Sequence, residues 1–191
     1  MTWTEIIDLL SLLSGIAYIL LEIGQKNAMW VVGILTGAAC ATSFAFQHAW
    51  ASMGLNLYYI GMSVWGLLQW RRDDAAAGEA GIHLREMSSA ARMSLPLALV
   101  FATPLLAWVL RLGADPAPWL DGAVFVMSMI GTWWLAKAYP QQWLLWIVAD
   151  ILSTSLCVVL GNWLLVALYA AYTLSAVYGY FHWIKKGKQI V

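Results

Sequence analysis

The sequence predicts an all-α integral membrane protein with seven transmembrane helices. They fall into a three-one-three arrangement of parallel repeats, with the N-terminus outside and the C-terminus inside. Three observations carry this reading: a composition too apolar for a water-covered surface, seven separate apolar runs, and a one-sided distribution of basic residues. Of 191 residues, 62% are hydrophobic and 10% charged, whereas a soluble domain of this length carries about 25% charged residues. The polar side chains are too few to cover a globule, so the solvent for most of the surface is lipid. The net charge of zero gives no basis for nucleic acid or another polyanionic partner.

A spanning helix needs about 20 mostly apolar residues. Runs of that kind lie at 5–23, 28–47, 49–70, 94–112, 119–138, 143–160 and 162–184. The breaks carry turn or charge signals: Gly24-Gln25-Lys26-Asn27, Gln47-His48, the polar stretch from Arg71 to Arg92, Gly113 to Pro116, Tyr139-Pro140-Gln141 and Gly161-Asn162. An odd number of spans puts the termini on opposite sides. With the N-terminus outside, Lys26, Arg71, Arg72, Arg85, Arg92, Lys137, Lys185, Lys186 and Lys188 all fall inside, and only Arg111 falls outside. Basic residues collect on the cytoplasmic side of membrane proteins, so this bias fixes the orientation. The opening Met1 to Glu5 has no positive charge and no small-residue cleavage site follows, which argues against a cleavable signal.

The two ends of the chain resemble each other. Trp3, Gly15, Gln25 and Trp30 match Trp119, Gly131, Gln141 and Trp146 at a spacing of 116. Trp50, Leu55, Tyr59, Gly66 and Trp70 match Trp163, Leu168, Tyr172, Gly179 and Trp183 at a spacing of 113. A three-residue deletion between the blocks reconciles the two. The expected organisation is a first three-helix repeat over 1–70, a cytoplasmic loop with a linker helix over 71–118, and a second three-helix repeat with a basic tail over 119–191. One linker helix leaves both triplets inserted in the same direction, the SWEET-like parallel design. Carriers of that design hold substrate near the midplane between the repeats; a repeat serving packing alone would still leave a central seam.

On a helix, residues three and four apart share a face. Trp143, Trp146, Asp150 and Thr154 form such a stripe in the sixth span. A charged side chain at the bilayer centre costs at least about 2.5–3.5 kcal/mol, so Asp150 is expected to face protein or water. It is either a hydrogen-bonded packing residue or part of a site. Indole faces attract cations by up to about 2 kcal/mol when desolvated, so a carboxylate among Trp rings suits a flat cationic ring. In the third span Asn56, Tyr59, Ser63 and Gly66 share a face; in the seventh, Tyr169, Tyr172, Ala176 and Gly179 do. Asn56 and Ser63 could orient a ligand or glue helices together, and the glycines could be close-packing points. Trp65, Trp70, Tyr178 and Trp183 suit the inner aromatic belt. Asp8 and Glu22 fall near opposite ends of the first span and read as interfacial, with Glu22 also a pathway candidate weaker than Asp150.

Enzyme signatures are missing: no Gly-rich phosphate loop, no Ser/His/Asp set within the core and no paired metal ligands. His48, His83 and His182 sit at or beyond span ends, and Cys40 and Cys157 read as small apolar fillers. No catalytic residue, metal or cofactor is expected.

The segment Gln142 to Asp150, with Trp143, Trp146 and Asp150, resembles the Trp-x-x-Trp-x-x-x-Asn signature of the PnuC-like Pnu vitamin transporters. Trp65-Gly66 through Trp70-Arg71, the Asp121 region and Gly161 to Trp183 are similar too, so the resemblance covers nearly the whole chain. It implies a multi-pass protein of the bacterial cytoplasmic membrane that carries an unphosphorylated vitamin by facilitated diffusion. A cytoplasmic kinase then traps the vitamin. The chain departs from the riboside carriers of that family in having Asp150 for the signature Asn, Asn56 for a Gln and Ser63 for an Asn, and in being shorter. These departures fit the thiamine branch, PnuT, better than the nicotinamide riboside carriers. The resulting site assignment is Trp143 and Trp146 stacking on the rings, Asp150 meeting the cation or amino group, and Asn56, Tyr59, Ser63, Tyr169 and Tyr172 completing the pocket. The other readings are nicotinamide riboside or riboflavin as ligand, a proton-coupled carrier, and a membrane scaffold without a substrate. Self-association is left open.

Overall fold

The computed structural model describes residues 15–46, 50–113, 116–159, 161 and 163–190. Trp3, Asp8, His48 and the first part of the first expected span lie outside these residues. Seven helical segments are present among the described residues: α1 over 15–23, α2 Ala28–Phe46, α3 Trp50–Ala77, α4 Ser89–Leu112, α5 Pro118–Ala136, α6 Gln142–Val159 and α7 Trp163–Lys186. Two short strands, β1 His83–Leu84 and β2 Lys188–Gln189, pair with each other. Helices α2, α4, α5 and α6 are long and apolar enough to cross a membrane. Leu35, Phe101, Leu105, Trp108, Leu174 and Phe181 stand exposed on the helices, as lipid-facing side chains do.

Two boundaries differ from expectation. α3 continues past residue 70 to Ala77, and α4 begins at Ser89, five positions before the apolar run. Arg71 to Asp74 end the lipid-compatible stretch without ending the helix, because Ala, Arg and the straight-chain residues favour helix in water too. Ser88 caps α4: its hydroxyl accepts a hydrogen bond from the Ala91 amide at 3.2 Å. The chain forms two compact units that divide between His83 and Leu84.

The first unit holds α1, α2 and α3 together with the tail Lys186–Ile190. α2 packs along α3, and Trp30 lies edge-on to Trp70 with ring centroids 4.9 Å apart. The α1–α2 turn is tied down by a polar knot. Gln25 accepts from the His83 amide at 2.5 Å and donates to the His83 carbonyl at 3.0 Å. Asn27 donates to Asp74 at 2.8 Å, and His83 Nε2 lies 3.1 Å from the other Asp74 oxygen. Lys188 pairs with Glu79, and its amide donates to the Ile82 carbonyl at 2.8 Å. The sequence placed His83 at a span end; the structure buries it in this knot.

The second unit holds α4 to α7. α5 packs against both α4 and α6. Its core gathers Met87, Ala91, Met127, Trp134, Tyr139, Leu145 and Ala149. Trp143 of α6 lies edge-on to Trp183 of α7 with centroids 5.5 Å apart.

Local geometry recurs between the units at a single spacing of 113. Gln25 and Ala138 both adopt left-handed φ, at 47° and 56°. Around Gln25 the amides of 24, 25 and 26 bond to the carbonyls of 20, 22 and 21; around Ala138 those of 137, 138 and 139 bond to 133, 135 and 134. Both are the helix-ending motif in which a left-handed residue lets two amides reach back into the last turn. The same spacing relates Trp30, Gly66 and Trp70 to Trp143, Gly179 and Trp183. A β-carbon on Gly66 would stand 2.5 Å from the Trp30 ring, and one on Gly179 would stand 2.7 Å from the Trp143 ring. Trp30 therefore corresponds to Trp143, not to Trp146, and no deletion separates the matching blocks. Identity alone misaligned them because this chain offers a Trp at both spacings.

Candidate ligand-binding site

Asp150 lies in the middle of α6, 8% exposed, with Ala149 and Leu145 buried beside it. Its carboxylate has no hydrogen-bond or ion-pair partner among the described residues; only its main-chain carbonyl is engaged, by the Thr154 hydroxyl at 2.7 Å. The charge of Asp150 acts on the hydroxyls of both Tyr169 and Tyr172 on α7. These two rings meet edge-on, 6.2 Å apart, as residues three apart on one helix face should. Asp121 in the first turn of α5 and Cys157 of α6 also act electrostatically on Tyr169. The expected grouping of Asp150, Tyr169 and Tyr172 is therefore one neighbourhood within this unit.

The two tryptophans of the stripe differ. Trp146 is half-buried, its indole lying over Gly131 at 3.3 Å from where a β-carbon would be. Its ring nitrogen has no acceptor among the described residues. Trp143 is 2% exposed and committed on two sides, to Gly179 and to Trp183. Stripe arithmetic gives a shared face but not which ring along it is already covered, and Trp143 is covered.

The residues expected from the third span lie in the first unit. Ser63 is buried with its hydroxyl against Gly33, where a β-carbon would be 2.8 Å away. Asn56 and Tyr59 are half-buried on the same helix. Tyr58 and Tyr59 make a tilted ring contact at 5.8 Å. Glu22 is buried at 5% exposure, on the face of α1 that it shares with Tyr18. Tyr18 escaped notice in the sequence, although its spacing of four from Glu22 marks one helix face. Trp70 and Trp183, assigned to an aromatic belt, are both buried ring partners.

The sequence matches the family described as nicotinamide mononucleotide transporter over residues 5–185. It is 29% identical over 180 residues to the nicotinamide riboside transporter PnuC of Neisseria mucosa, covering 86% of this chain and 66% of that protein. It is 25% identical over 150 residues to the riboflavin/roseoflavin transporter RibM of Streptomyces davaonensis, covering 72% of this chain and again 66% of the relative. The chain thus spans just under two thirds of the length of either protein. A crystal structure of the vitamin B3 transporter PnuC superposes with a TM-score of 0.65 at 26% identity, covering 90% of this chain and 77% of that one. With the match running through all seven helical segments, the chain belongs to the nicotinamide mononucleotide transporter family, that of the Pnu carriers, and is a multi-pass protein of the bacterial cytoplasmic membrane.

Proposed function

We propose that this protein is a facilitative carrier of an unphosphorylated vitamin with a flat, positively charged ring, and that the vitamin is thiamine. One observation carries the reading: a carboxylate, Asp150, buried mid-helix in an apolar membrane span, beside two tyrosine hydroxyls and without a protein counter-charge among the described residues. An intramembrane acid is expensive and marks a substrate or ion pathway by default. A cationic ligand supplies the missing charge, the Trp146 indole a face for stacking, and the tyrosines hydrogen bonds. Trp143, packed on Gly179 and Trp183, holds the Asp150 helix in place behind the site. Lys and Arg occur only toward span ends, so no mid-span cation is present to receive a phosphate, and a phosphorylated vitamin is rejected.

The carrier orientation is N-out and C-in, with triplets over 1–70 and 119–191 joined through a loop and linker helix over 71–118 in the parallel-repeat manner. Net uptake is downhill and is sustained by a cytoplasmic kinase that removes free vitamin. The second reading is nicotinamide riboside, favoured by the name of the Neisseria relative; that ligand is cationic too. Asp150 in place of the signature Asn favours thiamine. The test is equilibrium binding to purified protein by thiamine, nicotinamide riboside, riboflavin and thiamine diphosphate, followed by uptake into proteoliposomes containing this protein alone. Thiamine should bind tightest and enter without a pH gradient. Equal binding of thiamine diphosphate would sink the site assignment, and tighter binding of nicotinamide riboside would establish the second reading.

A further inference from the structure

The tail leaves α7, in the second unit, and ends in the first. α7 stops at Lys186, and Gly187 alone separates it from β2. One residue spans at most about 3.6 Å, so β2 moves with the end of α7. On its other side β2 pairs with β1, and the Lys188 amide donates to the Ile82 carbonyl at 2.8 Å. Lys188 also pairs with Glu79, and both of these side chains are exposed.

The two strands are held very differently. His83 and Leu84 of β1 are buried, whereas both residues of β2 are exposed. Gln25 of the α1–α2 turn bonds to both main-chain groups of His83. Asp74 of α3 faces His83 Nε2 at 3.1 Å and accepts from Asn27 at 2.8 Å. His83 is thus tied to the α1–α2 turn and to α3 by buried polar contacts. β2 has no such hold, since neither of its side chains is buried. A strand pair two residues long has little stability of its own, and an exposed ion pair adds little because water and salt screen it. A path of connections therefore runs from α7 through Gly187, β2 and His83 to the α1–α2 turn, and the strand pair is its weak step.

We infer that the tail is a reversible latch: when closed, β2 ties the C-terminal end of α7 to the knot around His83, and it opens in each transport cycle. This rests on the carrier reading of the protein. A carrier moves its helices to open the site first to one side and then to the other, and α7 carries Tyr169 and Tyr172 of the proposed site. While β2 stays paired, the end of α7 can move from His83 only by the slack of Gly187. Opening breaks main-chain bonds and one screened ion pair and uncovers no buried side chain of β2. The latch therefore adds a modest barrier to a conformational step, the kind of step that often limits turnover. It acts on the rate of transport and leaves the ligand's own contacts alone. A tail serving stability alone would do the reverse.

Initial uptake of labelled thiamine and of labelled nicotinamide riboside into proteoliposomes measures the rate, and equilibrium binding to purified protein measures the affinity. Lys188→Pro removes the amide that reaches Ile82, and a chain ending at Lys186 removes the strand. Both should raise the uptake rate several-fold at wild-type affinity. Spin labels at positions 80 and 190 should lie close together in the otherwise wild-type chain and move apart in Lys188→Pro. A short bifunctional maleimide joining Glu79→Cys to Lys188→Cys, in a chain with Cys40→Ala and Cys157→Ala, should hold the latch closed. Uptake should then be largely lost when the linker is added, while binding persists. An uptake rate that release does not raise, or that cross-linking does not lower, overturns the inference. So does a loss of affinity that accounts for the change in uptake. If the released variants do not fold, the cross-linked protein decides alone. Wild-type protein that transports neither vitamin defeats the carrier reading, whereas transport that is indifferent to the tail defeats the latch only.

Discussion

The indole of Trp143 covers Gly179 so closely that a β-carbon there would lie 2.7 Å from three of its ring atoms or within a tenth of that. Trp30 covers Gly66 in the same way. Each tryptophan then meets a second one edge-on, Trp183 and Trp70. The contact is made by a rigid ring wedged between helices, so it has little freedom to yield. Gly179→Ala or Gly66→Ala should therefore destabilise by about 1–3 kcal/mol through overpacking. Thermal unfolding in detergent would measure this, and Gly61→Ala, with open space around it, serves as the control. A wild-type melting temperature for both variants would mean that the rings move aside.

The polar knot should be a stability element. Gln25 satisfies both the amide and the carbonyl of His83 in a buried setting while holding a left-handed φ. Removing the side chain strands two buried main-chain groups, each costing about 1–3 kcal/mol. Gln25→Ala should lower the melting temperature clearly, with ligand affinity changing less than stability. Proteolysis within 78–84 should accelerate at the same time, because the segment loses its anchor on the α1–α2 turn.

How far the sequence reached can be judged residue by residue. The spans of α2, α5 and α6 were legible because lipid imposes length and apolarity directly. The overhang of α3 to Ala77 was not, since charge ends a membrane run but not a helix. Helical spacing, a local rule, puts Tyr169 and Tyr172 on one face of α7, where their rings meet. The burial of Trp70, His83 and Trp183 was not legible because each depends on a partner from a distant segment, as where Gln25 holds His83 from 58 positions away. The likeness of Gln25 to Ala138 was not legible either, since the residues differ and only their main-chain bonding is alike.

The tail should respond to acid. Glu79 is fully exposed, and its hydrogen bond with Lys188, followed by that lysine's charge, holds its carboxyl below the ordinary value. A carboxyl depressed in the folded state contributes stability above its unfolded pKa, and that contribution disappears as pH falls through the folded one. The Lys188 contact should therefore be complete at neutral pH and fade below the ordinary Glu range of about 4.3. A spin label at position 190 should become more mobile over that window. High salt should have the same effect at neutral pH, because exposed pairs are screened. In Glu79→Gln the label should already be mobile at neutral pH and should show no transition.

Asp150 offers the most direct test of the proposed function. Replacing it with Asn keeps the shape but removes the charge and turns one acceptor oxygen into an NH2 donor. A hydrogen bond to a charged group contributes about 1.5–3 kcal/mol, so Asp150→Asn should weaken thiamine binding by roughly 10- to 150-fold. The protein should remain folded and melt no lower than wild type, because removing an uncompensated acid from an apolar span relieves a burial penalty. Affinity and stability should thus move in opposite directions, which distinguishes a ligand contact from a packing residue. An aspartate used for packing would lose stability and leave affinity nearly unchanged. Calorimetric titration with thiamine, together with unfolding curves of the two proteins without ligand, separates the cases. A neutral thiamine analogue should lose much less affinity than thiamine in Asp150→Asn, since it carries no cation for the carboxylate to meet.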